Sequence, residues 1–191
     1  MSLTDKILLF IYTKVDRRIK SSLLLKIRNC SGYTFKVKEN FKFDIIKSHL
    51  EIHSGSHIEI EKDVIFRDFC NVMVYPNAKL KLGKYVFFNR YCSINCLGEI
   101  EVGDYTIFGE GVKLYDHNHL YNDVNKIIQQ EGCSIGKIVI GRNCWVGANV
   151  TILNNVTIGD NVVIGANNLI YNSIPSGVVI KNRVDQIVTK R

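Results

Sequence analysis

From residue 140 onward an aliphatic side chain returns at every sixth position: Ile140, Val146, Ile152, Ile158, Ile164 and Ile170. Glycine follows it at Gly141, Gly147, Gly159 and Gly165, and a second small or β-branched residue comes four positions after it, at Cys144, Val150, Val156 and Val162. The same beat runs earlier through Leu82, Phe88 and Ile94, then through Val102, Phe108 and Leu114, with Gly83, Gly103 and Gly109 in the glycine slot. Ile60, Phe66 and Val72 carry a fainter version. Neither a 3.6-residue helix nor the two-residue alternation of a strand produces a period of six. A coil of three short strands does, if one aliphatic per strand points into a triangular interior and glycine or another turn-tolerant residue sits at each corner. Coils of this kind bury one another's faces, so the core becomes a stacked ladder of Ile and Val. A generic sandwich with many turns has no reason to keep a fixed period.

Composition narrows the partners. With 46% hydrophobic residues and only two prolines among 191 residues, the chain can bury a core. The longest early apolar run, from Ile7 to Tyr12, is far too short to span a bilayer and is not followed by a small-residue cleavage site. Neither a membrane span nor a secretory leader is expected. The net charge of +7 suggests nucleic acid until it is located. Lys6, Lys14, Arg17, Arg18, Lys20, Lys26 and Arg28 outweigh Asp5 and Asp16 at one end; Lys181, Arg183, Lys190 and Arg191 outweigh Asp185 at the other. The body between them is close to neutral, so no nucleic-acid partner is expected. The six cysteines, Cys30, Cys70, Cys92, Cys96, Cys133 and Cys144, form no CxxC pair. They read as small buried hydrophobes of a reduced, cytoplasmic protein. Cys92 and Cys96 lack a second ligand pair at zinc spacing.

Residues 1–30 follow a different rule. Ile7, Leu8, Ile11, Val15, Ile19 and Leu23 recur at helical spacing after a cap candidate at Thr4, with basic residues on the opposite side. The expectation is a short amphipathic helix packed on the first coil; peripheral attachment to an anionic membrane, at its inner face, is the alternative. The domain plan is therefore a helical region over 1–30, a coiled body over 31–180 and a basic tail over 181–191.

The beat stops after Leu114 and resumes at Ile140. A long excursion from a regular solenoid is usually functional, and the loop over 115–137 opens with Tyr115-Asp116-His117-Asn118-His119. Histidine titrates nearest neutrality and can take a proton from a weak nucleophile such as a sugar hydroxyl. A carboxylate partner such as Asp116 can orient either imidazole. The spacing alone leaves the choice between His117 and His119 open, and surface histidines unconnected with chemistry would look the same. His49, His53 and His57 read as structural or exposed residues of the first coils.

The repeat resembles the hexapeptide-repeat acyltransferase family over roughly residues 50–175, and most closely over 138–170 (IVIGRNCWVGANVTILNNVTIGDNVVIGANNLI). The resemblance implies an all-β fold, a left-handed parallel β-helix with a short N-terminal helical segment and an extended loop. Within the family the chain looks like the acetyl-CoA-dependent O-acetyltransferases of sugars and capsular polysaccharide, the galactoside and maltose acetyltransferase type. Counting from the corner at Gly103-Asp104, the family's histidine falls on His119, its asparagine on Asn89 and its tryptophan on Trp145.

That resemblance implies direct acetyl transfer to a sugar or glycan hydroxyl with His119 as general base, His117 orienting it or replacing it, and Asn89 or backbone N–H groups receiving the oxyanion. It also implies a homotrimer whose neighbouring chains share the groove. Tyr121 and Trp145 would face the acceptor. Trp145, Gly147, Ala148, Gly165 and Ala166 would take the pantetheine arm of acetyl-CoA, and Lys181 and Arg183 its phosphates. No metal is expected. N-acylation of an amino sugar is the nearest alternative. A non-catalytic β-helix, or a zinc site like that of the β-helix carbonic anhydrases, is a more distant one, since no third histidine ligand is found in an equivalent coil. If residues 1–30 attach to membranes, deleting residues 1–25 abolishes flotation with anionic liposomes; equal flotation of both forms removes the membrane reading.

Overall fold

The computed structural model describes residues 32–44, 47–183 and 189. The segment expected to be helical, residues 1–30, lies outside the described residues, as does most of the tail. Strands begin with β1 (Thr34–Val37), β2 (His49–Ile52), β3 (His57–Ile60), β4 (Ile65–Phe66), β5 (Asn71–Val74), β6 (Lys79–Leu82) and β7 (Phe87–Phe88). They continue with β8 (Ser93–Cys96), β9 (Glu99–Val102), β10 (Ile107–Phe108) and β11 (Lys113–Tyr115). The loop holds β12 (His117–His119), the helical turn α1 (Ile128–Glu131) and β13 (Cys133–Ile135). The coils resume with β14 (Lys137–Ile140), β15 (Trp145–Val146), β16 (Thr151–Ile152), β17 (Val156–Ile158), β18 (Val163–Ile164), β19 (Leu169–Ile170) and β20 (Val179–Ile180).

Three parallel sheets result, each taking every third strand of the coil. The first holds β1, β3, β6, β9, β14 and β17; the second β4, β7, β10, β15, β18 and β20; the third β2, β5, β8, β11, β16 and β19. This is a three-sided parallel β-helix, the architecture implied by the period of six. Every aliphatic and aromatic residue of that period is buried, from Ile60 to Ile170, as are Cys144, Val150, Val156 and Val162. Phe66, Phe88 and Phe108 stack face to face inside, with ring centroids 4.4 and 4.3 Å apart. The early beat is fainter because β2, β5 and β8 have four residues where β16 and β19 have two. The extra pair lengthens the step from Ile94 to Val102 to eight residues, and together with the longer turn after β5 it lengthens the step from Val72 to Leu82 to ten.

The glycine slot has a different cause from the one the sequence suggests. Gly103 and Gly147 do not have positive φ; a Cβ on either would lie 2.6 Å from a backbone nitrogen of the next coil, Arg142 and Ala166 respectively. Their role is close approach between coils. The left-handed corner falls two residues later, on Asn143 (φ 53°), Asn149 (57°), Asn161 (56°) and Asn167 (60°), where asparagine tolerates the conformation best after glycine. Asn89 is not among these left-handed residues.

The outer faces differ in chemistry. On the first sheet, Lys36 pairs with Glu59 (3.1 Å), Lys81 with Glu101 (3.3 Å) and Lys137 with Glu99 (2.9 Å), forming a solvated charged ladder. On the second, Ile65, Phe87, Ile107, Trp145, Val163 and Val179 line up in register. Ile107, Trp145 and Val179 are exposed. The third sheet presents mixed polar groups, with His49 and His53 flanking the Glu51 carboxylate at 3.1 and 2.8 Å. The His49 contact holds that carboxyl below its usual range, against the opposing effect of burial.

Gly103→Ala forces a methyl group into the backbone above it and should destabilise the protein by about 1–3 kcal/mol. Asn161→Gly, which keeps the corner conformation, should change stability by only a few tenths. Thermal unfolding of the two variants measures the contrast.

Candidate active site at the base of the loop

The loop leaves the stack at the corner between the third and first sheets. Leu114 still points inward and pairs with Ile94 below and Ile152 above, so the coil is complete up to that point. Asp116 then turns into the protein and is fully buried. Its carboxylate accepts the backbone N–H groups of Leu97 and Gly98, both at 2.8 Å, from the corner of the coil below. A buried carboxylate needs such donors, because stripping its water without replacing the hydrogen bonds is very costly. Burial, with the Asp116 charge as a second cause, pushes the neighbouring Cys96 thiol well above its ordinary range.

Asp116 also meets His117. Oδ1 lies 3.2 Å from Nδ1, and the imidazole is 18% exposed. A carboxylate at Nδ1 favours the tautomer with the proton there, leaving Nε2 as the free basic nitrogen. The Tyr115 ring meets the imidazole edge-on, with centroids 6.4 Å apart. His119 lies further out and is exposed. Its Nδ1 is 3.8 Å from Sγ of Cys133. The sequence left Asp116 free to orient either imidazole, and the hydrogen bond is made to His117.

The loop is ordered by its own bonds. β12 and β13 form an antiparallel hairpin with His117 opposite Ile135, Asn118 opposite Ser134 and His119 opposite Cys133. At its base Gly136 donates to the Asp116 carbonyl (2.7 Å), and the Asn118 side chain donates to Asn154 Oδ1 (3.1 Å). Further out the Glu131 carboxylate accepts the backbone N–H groups of Asn122 and Asp123. Tyr121 stands 73% exposed on this outer part. Beyond the hairpin Ile138 lands directly on Ile100, so the whole excursion is inserted without a gap in the core ladder.

Apart from Trp145, the other expected site residues lie on the edge between the second and third sheets. Backbone bonds order them into one file. Asn89 N–H donates to the Phe108 carbonyl, Gly109 to Val146, Gly147 to Ile164 and Gly165 to Ile180. Lys181 sits over Gly165 at the top. Ala148 and Ala166 run beside this file, linked through the Asn167 N–H to the Ala148 carbonyl (2.8 Å). Asn182 Nδ2 ties the following segment to the Asn167 carbonyl (3.0 Å), with exposed Arg183 next.

Gly147, Ala148, Gly165, Ala166 and Lys181 thus come together. Gly109 belongs with them, and its place in the glycine slot was the available signal. Within one chain Asn89 is not brought to the histidines. It stands at one end of the third sheet's strand β8, and the Leu97–Gly98 corner that holds Asp116 stands at the other. Trp145 projects from the middle of the second sheet's outer face, 54% exposed.

Cys133 departs from the buried role expected of the cysteines, being partly exposed while Cys70, Cys92, Cys96 and Cys144 are buried; Cys30 lies outside the described residues. Among the described residues no three His, Cys, Asp or Glu side chains are grouped to hold a metal ion, and no helix is long and apolar enough to cross a membrane.

Residues 137–172 match the family described as bacterial transferase hexapeptide (six repeats). The match covers the upper coils of the three-sided parallel β-helix and the repeat they carry. Nodulation protein L of Rhizobium leguminosarum bv. viciae is 34% identical over 75 residues, 39% of this chain and 38% of that protein. The putative colanic acid biosynthesis acetyltransferase WcaF of Escherichia coli K12 is 29% identical over 133 residues, covering 70% of this chain and 69% of WcaF. The chain spans little more than a third of the first of these relatives.

Two solved structures share the fold. A mutant of AntD, an N-acyltransferase from Bacillus cereus, in complex with dTDP and coenzyme A has a TM-score of 0.63 at 19% identity, covering 90% of this chain and 89% of that one. A galactoside acetyltransferase in complex with coenzyme A has a TM-score of 0.51 at 23% identity, covering 93% and 74%.

Asp116→Asn sets an amide N–H₂ against backbone donors in a buried corner. It should cost about 1–3 kcal/mol, read as a lowered midpoint in denaturant unfolding.

Proposed function

We propose that the chain is an acetyl-CoA-dependent O-acetyltransferase that places an acetyl group on a hydroxyl of a sugar or polysaccharide precursor. The observation that carries this reading is the pairing of buried Asp116 with His117 at the root of the only long loop among the described residues. A hydroxyl is a poor nucleophile at neutral pH. With Nδ1 engaged by Asp116, the Nε2 lone pair of His117 accepts the hydroxyl proton as the oxygen attacks the thioester carbonyl. The tetrahedral oxyanion collapses, the coenzyme A thiolate leaves, and the imidazolium returns the proton to it. Asp116 stabilises the imidazolium without itself taking the proton. In this reading His117, rather than His119, is the base, because the carboxylate support lies at His117. In the same reading the acetyl group passes directly from the thioester to the hydroxyl.

The donor fits the edge file. Glycine at 109, 147 and 165 leaves a shallow trough beside Ala148 and Ala166, where a thin chain can approach the backbone. From Asn89 to Gly165 the file climbs three coil steps, about 14 Å at the usual interstrand spacing, a span suited to an extended pantetheine arm. Lys181 and Arg183 at the upper end suit its phosphates. The relative with the longest match, WcaF, is named for colanic acid biosynthesis, which favours a glycan acceptor. Tyr121 and the amide-rich loop suit such a group.

The apolar file on the second sheet calls for a cover, and a homotrimer supplies one. A neighbouring copy would bring its Asn89 and Trp145 toward the His117 of the first, closing a site that one chain leaves open.

A thiol-release assay with acetyl-CoA and a panel of hydroxyl- and amino-bearing sugars tests the activity. His117→Ala should lower acetyl transfer about 100-fold or more, and His119→Ala should lower it less than about 10-fold. The opposite order would make His119 the base, and release with amino sugars alone would make the protein an N-acyltransferase.

A further inference from the structure

Hairpin register places a second reactive pair beside the first. His117 lies opposite Ile135 and His119 opposite Cys133, and side chains alternate between the two faces of a ribbon. His117, His119, Cys133 and Ile135 therefore share one face, while Asn118 points the other way and binds Asn154. The Cys133 thiol is partly exposed, in no disulfide, and 3.8 Å from Nδ1 of His119. It is also a diagonal neighbour of His117 across the ribbon, a relation that corresponds to about 7–8 Å between backbones. A thiol within reach of an imidazole is the pairing that activates sulfur nucleophiles. Direct acetyl transfer to a hydroxyl at His117 has no use for it.

We propose that Cys133 is an acyl-accepting thiol, a self-acetylation site on the reacting face of the loop with His119 as its base. The inference rests on the transferase reading for its donor, acetyl-CoA. His119 Nδ1 takes the thiol proton. The Cys133 sulfur bonds to the acetyl carbonyl carbon, the bond from that carbon to the coenzyme A sulfur breaks, and the proton passes to the departing thiolate. One thioester is exchanged for another, with no change of oxidation state. In this arrangement the loop carries two pairs with separate tasks: Asp116 and His117 deliver acetyl to a sugar oxygen, and His119 and Cys133 hold an acetyl group when no acceptor is present.

The test incubates the full chain, freed of reducing agent, with acetyl-CoA alone. Intact mass and peptide mapping then follow the product, with calorimetry of acetyl-CoA binding alongside. The expected result is one acetyl group per chain on Cys133, removable by neutral hydroxylamine and absent from Cys133→Ser. His119→Gln should slow its formation at least about 10-fold, and His117→Gln should not. Sugar acetylation by Cys133→Ser should match that of the parent chain. An unmodified Cys133 in protein that still binds acetyl-CoA overturns the proposal and leaves the transferase standing. Equal labelling rates with and without His119 overturn it as well. Absence of acetyl-CoA binding removes both readings together.

Discussion

Each coil of this protein lies directly on the backbone of the next, and nearly everything else depends on that contact. Parallel ladders between successive turns satisfy the backbone polar groups. The price is geometric: a side-chain carbon at Gly103 or Gly147 would fall inside the neighbouring main chain. Close stacking in turn gives one or two residues per strand to the interior, according to strand length, and one file of residues to each edge. The Phe66, Phe88 and Phe108 stack and the Ile and Val ladder above it are consequences of the same spacing.

Asp116 connects that scaffold to the chemistry. It belongs to the fold, since its two oxygens complete the Leu97–Gly98 corner of the coil below. It also belongs to the proposed reaction, since Oδ1 is shared with the imidazole of His117. A loop of flexible chain could not by itself hold a base in register with a donor running along another edge. A buried carboxylate pinned by two backbone donors fixes the position of the first loop residue, and the hairpin carries that order outward to His119 and Cys133. The three outer faces divide the remaining tasks. The charged ladder of the first sheet is solvated, and the proposed trimer would cover the apolar file of the second.

Much of this was legible in the sequence, and the exceptions have physical reasons. The period of six in Ile140 to Ile170 exposed the coil because two-residue strands such as β15, β16 and β18 send one residue inward at a fixed spacing, and the second inward residue of β17, Val156, falls on the small-residue slot of the same beat. The earlier coils blurred the beat because four-residue strands such as β5 and β8 send two residues inward, Val72 with Val74 and Ile94 with Cys96. Glycine spacing was visible, but its cause was not, since contact between coils is not a local property and the left-handed corner sits on asparagine instead. The glycine slots at Gly147 and Gly165 followed from the repeat itself, and Ala148 and Ala166 from the family resemblance.

The choice between His117 and His119 did not follow, because residues two apart occupy the same face of a strand and only the buried turn at Asp116 separates them. Cys133 was unreadable for a related reason. Its partner is set by hairpin register within an aperiodic loop, and no spacing in the sequence encodes that pairing.

The central claim is that the glycine file and the Asp116–His117 pair are two ends of one acyl-transfer path. A crystal structure of the protein with acetyl-CoA tests it most directly. The account predicts the pantetheine arm along Gly109, Gly147 and Gly165, with the thioester carbonyl within hydrogen-bond reach of Asn89 or backbone donors and near the His117 of a neighbouring copy. Coenzyme bound on another face, with its thioester remote from every His117, would contradict it.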